Sequence, residues 1–208
     1  MRKIKFINGE YYHIYNRGVD KRDVFSDNYD LPRFFQSMEE FNNLEPVGGI
    51  YANSHRDRVS KPKNDNKLVN FICYCINSNH YHFLLEQVND NGIEKFMHRL
   101  GVGYTMFFNK KYDRSGALFQ GEYKAIHVGT NEYLLHLSSY INLNDKVHRL
   151  RDSVSKSSRE EYFSNVGKFC KKDIILGQFN SLVEYKKFAE SSLKDILERK
   201  DMENMLLE

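Results

Sequence analysis

The stretch 10–17 (EYYHIYNR) is rich in β-branched and aromatic residues and predicts a first strand, ended by Gly18. A charged turn follows over 19–25. Over 31–42, Phe34, Phe35, Met38 and Phe41 recur every three or four positions, as on a helix with one apolar face. Asp27 or Asn28 can cap this helix, and Pro32 suits its first turn. The pattern then breaks over 44–67, where Pro46, Gly48, Gly49 and a basic, polar run predict a long polar loop. Two apolar runs, 68–76 and 80–87, flank the polar residues Asn77, Ser78 and Asn79 and predict a hairpin. A second helix is predicted over 93–111, with Phe96, Leu100, Tyr104, Phe107 and Phe108 on one face. The segment 117–128 reads as a further strand, with Gly121 as a bulge. A helix starting near Glu132 carries Tyr133, Leu134, Leu137, Tyr140 and Ile141 at helical spacing.

This order of strand, helix, strand, strand, helix, strand predicts an α+β fold: a ferredoxin-like βαββαβ antiparallel sheet with helices, followed by one further helix. Residues 1–145 form that domain. Residues 146–208 read as a charged, mostly helical C-terminal extension, with helical patterns over 159–170 and 182–200. The fold hosts many functions, so function has to come from particular residues.

Bulk properties narrow the field. A chain of 208 residues can build one substantial core. No apolar run approaches the roughly 18 residues of a membrane span, and the first seven residues are too short and too charged for a signal peptide. Three cysteines, two of them as Cys73-x-Cys75 in a strand, argue against a disulfide framework and for a cytoplasmic location. A net charge of +3 is compatible with a nucleic-acid partner.

His80 and His82 are two apart in a strand, so both side chains face the same side of the sheet, and two such imidazoles can grip a divalent metal. Tyr140 and Asn144, four apart, share one helical face. If that face meets the histidines, the Asn144 amide oxygen completes the ligand set and Tyr140 stands beside the metal. Attack by a phenol on a phosphodiester gives a phosphotyrosine and conserves the bond energy for rejoining.

Three segments resemble one family. YYHIYNRG (11–18), continuing to DVF (23–25), resembles the N-terminal signature of the single-tyrosine transposases of the HUH class, and within them the REP-associated tyrosine transposases. NHYHFLL (79–85) resembles their histidine motif, with Ser78 in place of a proline. LFQGEYKA (118–125) and YLLHLSSYINLN (133–144) resemble their last strand and catalytic helix, with Asp145 and Lys146 where the family has Pro-Val. The resemblance implies Tyr140 as nucleophile and His80, His82 and Asn144 as ligands of Mg²⁺ or Mn²⁺. It implies cleavage and rejoining of single-stranded DNA, beside a hairpin near an element end, by a monomer or a homodimer.

Arg17, Lys21, Arg22, Lys110, Lys111, Arg114 and Lys124 are candidate phosphate contacts, which hold a strand without reading its sequence. Other readings stand beside this one. A non-catalytic single-strand nucleic-acid binder of the same fold needs no metal. The histidines could be a hydrogen-bonded sheet-edge pair, Cys73 and Cys75 could join them on zinc, and Tyr123 and Tyr133 are rival nucleophiles. A phosphoesterase with paired histidine motifs lacks its second pair, since His13, His55, His98, His127, His136 and His148 supply none.

Overall fold

The computed structural model describes residues 4–45, 66–144, 155–164, 166, 167 and 169–205, without the side chains of 198–205. Most of the loop predicted over 44–67 therefore lies outside the described residues.

Strands β1 (Tyr11–Arg17), β2 (Val69–Asn77), β3 (His80–Gln87) and β4 (Lys124–His127) pair antiparallel in the order β4-β1-β3-β2, the order a βαββαβ chain takes when each crossover helix returns over the sheet. Helix α1 (Asp30–Glu40) joins β1 to β2, and α2 (Gly92–Lys111) joins β3 to β4. Both cover one face. Phe34 of α1 meets Tyr81 and Phe83, and Phe96 of α2 meets Phe71. Tyr12, Ile14, Phe83 and Leu85 bury their alternate positions beneath these helices.

Residues directly paired across antiparallel strands share a face. The opposite face therefore carries His13, Tyr15 and Arg17 from β1, His80, His82 and Leu84 from β3, and Cys75 and Asn77 from β2. Lys124 and Ile126 of β4 continue it. Helix α3 (Asn131–Asn142), capped by Thr130 Oγ1 on the Tyr133 amide, lies against the β2–β3 half of this face. The β1–β4 half is more open, with Lys124 and Ile126 exposed.

A short strand, β5 (Lys156–Ser157), extends the sheet beyond β2 and was not predicted; it is two residues long and lies in a polar stretch. Helices α4 (Arg159–Phe163), α5 (Asp173–Leu176) and α6 (Leu182–Met205) follow. Tyr162, Cys170, Ile175, Tyr185 and Ala189 of this region are buried in the same core. The division at 145 is thus a change of composition rather than of packing. Only the end of the strand predicted over 117–128 forms, because Gly116 and Gly121 turn the chain at positive φ and the intervening stretch meets the end of β1 through an isolated Gly18–Phe119 bridge and the Gln120 amide on Arg17 O rather than a continuous ladder.

Candidate active site

The turn between β2 and β3 is fixed by the segment that leaves β1. Gly18 N–H donates to Asn79 O at 2.8 Å, Asn79 Nδ2 donates to Lys21 O at 3.1 Å, and the amides of Val24 and Phe25 donate to Ser78 O. A Cβ on Gly18 would meet Arg22 O at 2.2 Å, so only glycine fits this crossing. The first and second sequence motifs are in this way two sides of one structure.

That turn sets the state of His80. Asn79 Oδ1 can only accept, so His80 Nδ1 donates to it at 2.6 Å. Burial lowers the His80 pKa, the Asn144 side chain opposes the shift, and the Arg17 guanidinium adds to it; the ring is neutral at pH 7 and Nε2 holds the lone pair. That lone pair accepts from Asn77 Nδ2 at 2.9 Å, and the other Nδ2 hydrogen goes to Asn144 Oδ1 at 2.7 Å. Ser155 Oγ and Cys75 Sγ donate to Asn77 Oδ1. Buried Asn77 is therefore a hub that joins β2, His80 and Asn144. Sequence reasoning passed over it as part of a polar break; its position two residues before Asn79, at the end of a buried strand, was the available signal.

His82 lies one step along β3. Its Nδ1 is 3.0 Å from His13 Nε2, and its ring stacks with those of His13 and Tyr15. Burial lowers the His13 pKa to about 4, so that ring too is neutral. The Tyr140 ring meets His82 edge-on, with centroids 5.6 Å apart. Burial raises the Tyr140 pKa, while the Asn144 side chain one turn on favours the phenolate. His80, His82, Tyr140 and Asn144, some sixty residues apart in sequence, thus come together in one chain without a second copy.

A buried polar network docks α3. Asn142 Nδ2 donates to Tyr185 OH of α6 at 2.9 Å, Ser158 Oγ donates to Asn142 Oδ1 at 2.6 Å, and Ser157 Oγ donates to Asn142 O at 2.9 Å. Ser138 Oγ lies 3.3 Å from the same Tyr185 hydroxyl. The C-terminal region, to which the sequence assigns no chemistry, therefore holds the helix that carries Tyr140.

The candidate cations divide. Arg17, bound to Gln120, and Lys124, 5.9 Å from the Tyr15 ring centroid, lie on the His82 face. Lys21 and Arg22 flank the turn before His80, and Arg22 pairs with Asp20 at 3.8 Å. Lys110 and Lys111 end α2, which covers the other side of the sheet, and Arg114 follows it. Lys111 bonds Asp27 and buried Asp30, and Arg114 bonds Asn109. Burial would lower the Lys111 pKa, but those carboxylates raise it overall.

Among the described residues no group of three or more His, Cys, Asp or Glu side chains is arranged to hold a metal. The candidate set is two imidazoles and an amide. One observation fits a cation: the lone pairs of His80 Nε2 and Asn144 Oδ1 converge on one electropositive amino group. Asn144 Nδ2, buried with no hydrogen-bond partner, is a donor that calls for an acceptor rather than a cation. The amide oxygen suits Mg²⁺ or Mn²⁺, whereas the two imidazoles suit Zn²⁺, Fe²⁺ or Ni²⁺ as well. Cys73 is buried, close enough to Tyr162 and Tyr185 to raise their pKa values, and reads as core. Tyr133 is partly exposed on α3, and Tyr123 precedes β4.

Comparison with curated proteins gives no match. A solved structure of a REP-associated tyrosine transposase bound to a REP hairpin resembles this one at 9% identity and a TM-score of 0.45, over 71% of this chain and 73% of that one, too slight a likeness to carry function across. The family model for IS200-like transposases matches residues 51–144, under half of the chain but inclusive of His80, His82, Tyr140 and Asn144. Over that stretch the chain is similar to the IS200-like transposases.

Proposed function

We propose that this chain cuts and rejoins single-stranded DNA through a covalent tyrosine intermediate. The observation that carries the reading is the edge contact of Tyr140 with His82, with Asn144 one helical turn on and bonded to the same Asn77 amide as His80. The Tyr140 hydroxyl oxygen attacks the phosphorus, and the bond from phosphorus to the 3′ oxygen breaks. The downstream strand is left joined to Tyr140 through its 5′ phosphate, and the phenol proton ends on the departing 3′ hydroxyl of the upstream strand. A second 3′ hydroxyl reverses these bond changes and joins a new strand.

Because burial raises the Tyr140 pKa, its phenol is protonated at neutral pH, and charge must be stabilised as the new bond forms. His80, His82 and Asn144 would hold Mg²⁺ or Mn²⁺, and the chemistry such an ion would supply is polarisation of a phosphate oxygen. His80 and His82 hold fixed positions on β3, and Asn144 favours the phenolate. Arg17 and Lys124 hold phosphates on the open half of the face, and Tyr15 and Tyr133 offer rings on which bases stack. A DNA hairpin beside the cleavage point is the preferred substrate.

The reading is tested with hairpin-bearing single-stranded oligonucleotides and Mn²⁺. An adduct that survives denaturing electrophoresis is expected from the wild type, and its loss from Tyr140→Phe and His80→Ala. A wild type that gives no adduct, or a Tyr140→Phe variant that still gives one, contradicts it. The open face with Tyr15, Tyr133 and Lys124 also favours a second reading, a non-catalytic single-strand binder. That reading predicts DNA affinity indifferent to Mn²⁺ and to His80→Ala, with no adduct.

A further inference from the structure

We propose that His13 is a positioning residue for the metal site: its Nε2 accepts the Nδ1 proton of His82, which leaves the His82 Nε2 lone pair to the cation. This rests on the metal reading above. His13 belongs to the YYHIYNRG motif of β1, of which the proposed function uses Tyr15 and Arg17 but not His13.

Two imidazole nitrogens 3.0 Å apart form a hydrogen bond only if one carries the proton and the other a lone pair. The distance does not decide which. The role of His82 does. A histidine that binds metal through Nε2 has to carry its proton on Nδ1, so His13 Nε2 is the acceptor. His80 follows the same rule from the other side, with its Nδ1 proton on Asn79 Oδ1. Each strand histidine then has an acceptor on Nδ1 and its lone pair on Nε2, the arrangement by which outer partners fix ligand orientation and basicity.

Packing holds His13 in that place. It is buried, its ring stacks on His82 with centroids 5.2 Å apart and 23° between planes, and Tyr15 stacks on it at 4.9 Å. His13 pairs in register with Leu84 and Tyr15 with His82, so the contact from His13 to His82 is a diagonal one across two strands. The three near-parallel rings leave His82 little room to turn.

The experiment uses the full chain without DNA. Mn²⁺ affinity is measured by electron paramagnetic resonance titration for the wild type, His13→Phe, His13→Gln and His80→Ala, with thermal melts as controls. Ring ¹H–¹⁵N correlation spectra report the His82 tautomer before metal is added. His13→Phe keeps the ring but not the acceptor and is expected to weaken Mn²⁺ binding by roughly 10–100-fold. His13→Gln keeps an acceptor and is expected to restore most of it. The wild-type spectrum is expected to show His82 protonated at Nδ1, and the Phe variant to lose that preference.

If His13→Phe binds Mn²⁺ as the wild type does while His80→Ala does not, the role of His13 is overturned and the metal reading stands. Failure of a folded Gln variant to rescue assigns the effect to packing and also overturns it. A wild type that binds no Mn²⁺ removes the metal reading and this proposal with it. Should His13→Phe not fold, the wild-type spectrum still decides: His82 protonated at Nε2 refutes the assignment.

Discussion

Tyr185→Phe removes one hydroxyl from the junction between α6 and α3. The ring contacts remain, since Tyr162 and Phe179 pack against the ring, with centroids at 5.3 and 5.2 Å, rather than against its oxygen. Ser138 Oγ keeps its bond to Leu135 O at 2.7 Å, and Asn142 Oδ1 keeps Ser158. Asn142 Nδ2 alone is stranded, in a fully buried position. A buried donor left without a partner costs about 1–3 kcal/mol. In a protein of this size that is a fall in melting temperature of roughly 2–12 °C. Thermal melts followed by circular dichroism measure it directly. Asn142→Leu in the same chain removes the stranded donor, so the double variant is expected to regain part of the loss. Because α3 carries Tyr140, adduct yield with a hairpin oligonucleotide is expected to fall in Tyr185→Phe at temperatures where the protein is still folded. A melting temperature within about 1 °C of wild type, well below the range expected for a stranded donor, would refute the claim that the C-terminal region docks this helix.

Lys111→Met is expected to reduce stability by roughly 1.5–3 kcal/mol, since it strips a charged partner from buried Asp30, and to leave DNA affinity unchanged; a filter-binding loss with a normal melt would return Lys111 to the DNA contacts. His13 is neutral in the folded chain and titrates near 6.5 when unfolded, so between about pH 4 and 6.5 the unfolded chain binds more protons. Stability is full above about pH 6.5 and falls toward pH 4 by up to about 3 kcal/mol, and urea melts of His13→Gln are expected to show a shallower fall. Asn79→Ala frees His80 Nδ1 and is expected to weaken Mn²⁺ binding about 10-fold or more, as calorimetry would show.

The sheet and its two crossover helices were legible because each buries one face, so its apolar residues repeat at the period of its own geometry. His80 and His82 were legible for the same reason: strand alternation puts them on one side, and helical spacing does the same for Tyr140 and Asn144. The rest depends on contacts distant in sequence. Nothing in the polar break around Asn77 shows that its amide joins His80 to Asn144, because the bond spans 67 positions. His13 looks like one apolar-strand histidine until β1 is laid beside β3. Strand β5 is too short to carry a period, and it forms because the edge of β2 offers its backbone groups. Lys111 looks like a free cation at a helix end, yet Asp27 and Asp30 come back to meet it.

The central claim is that Tyr140 is the nucleophile, chosen over Tyr133 on the same helix and Tyr123 before β4. The most direct test is to digest the adduct formed with a hairpin oligonucleotide and Mn²⁺ and to locate the bound nucleotide by mass spectrometry. The account predicts a 5′-phosphonucleotide on the peptide that contains Tyr140 and on Tyr140 within it. A nucleotide on Tyr133 or Tyr123, or cleavage to free 5′-phosphate ends with no protein attached, would contradict it.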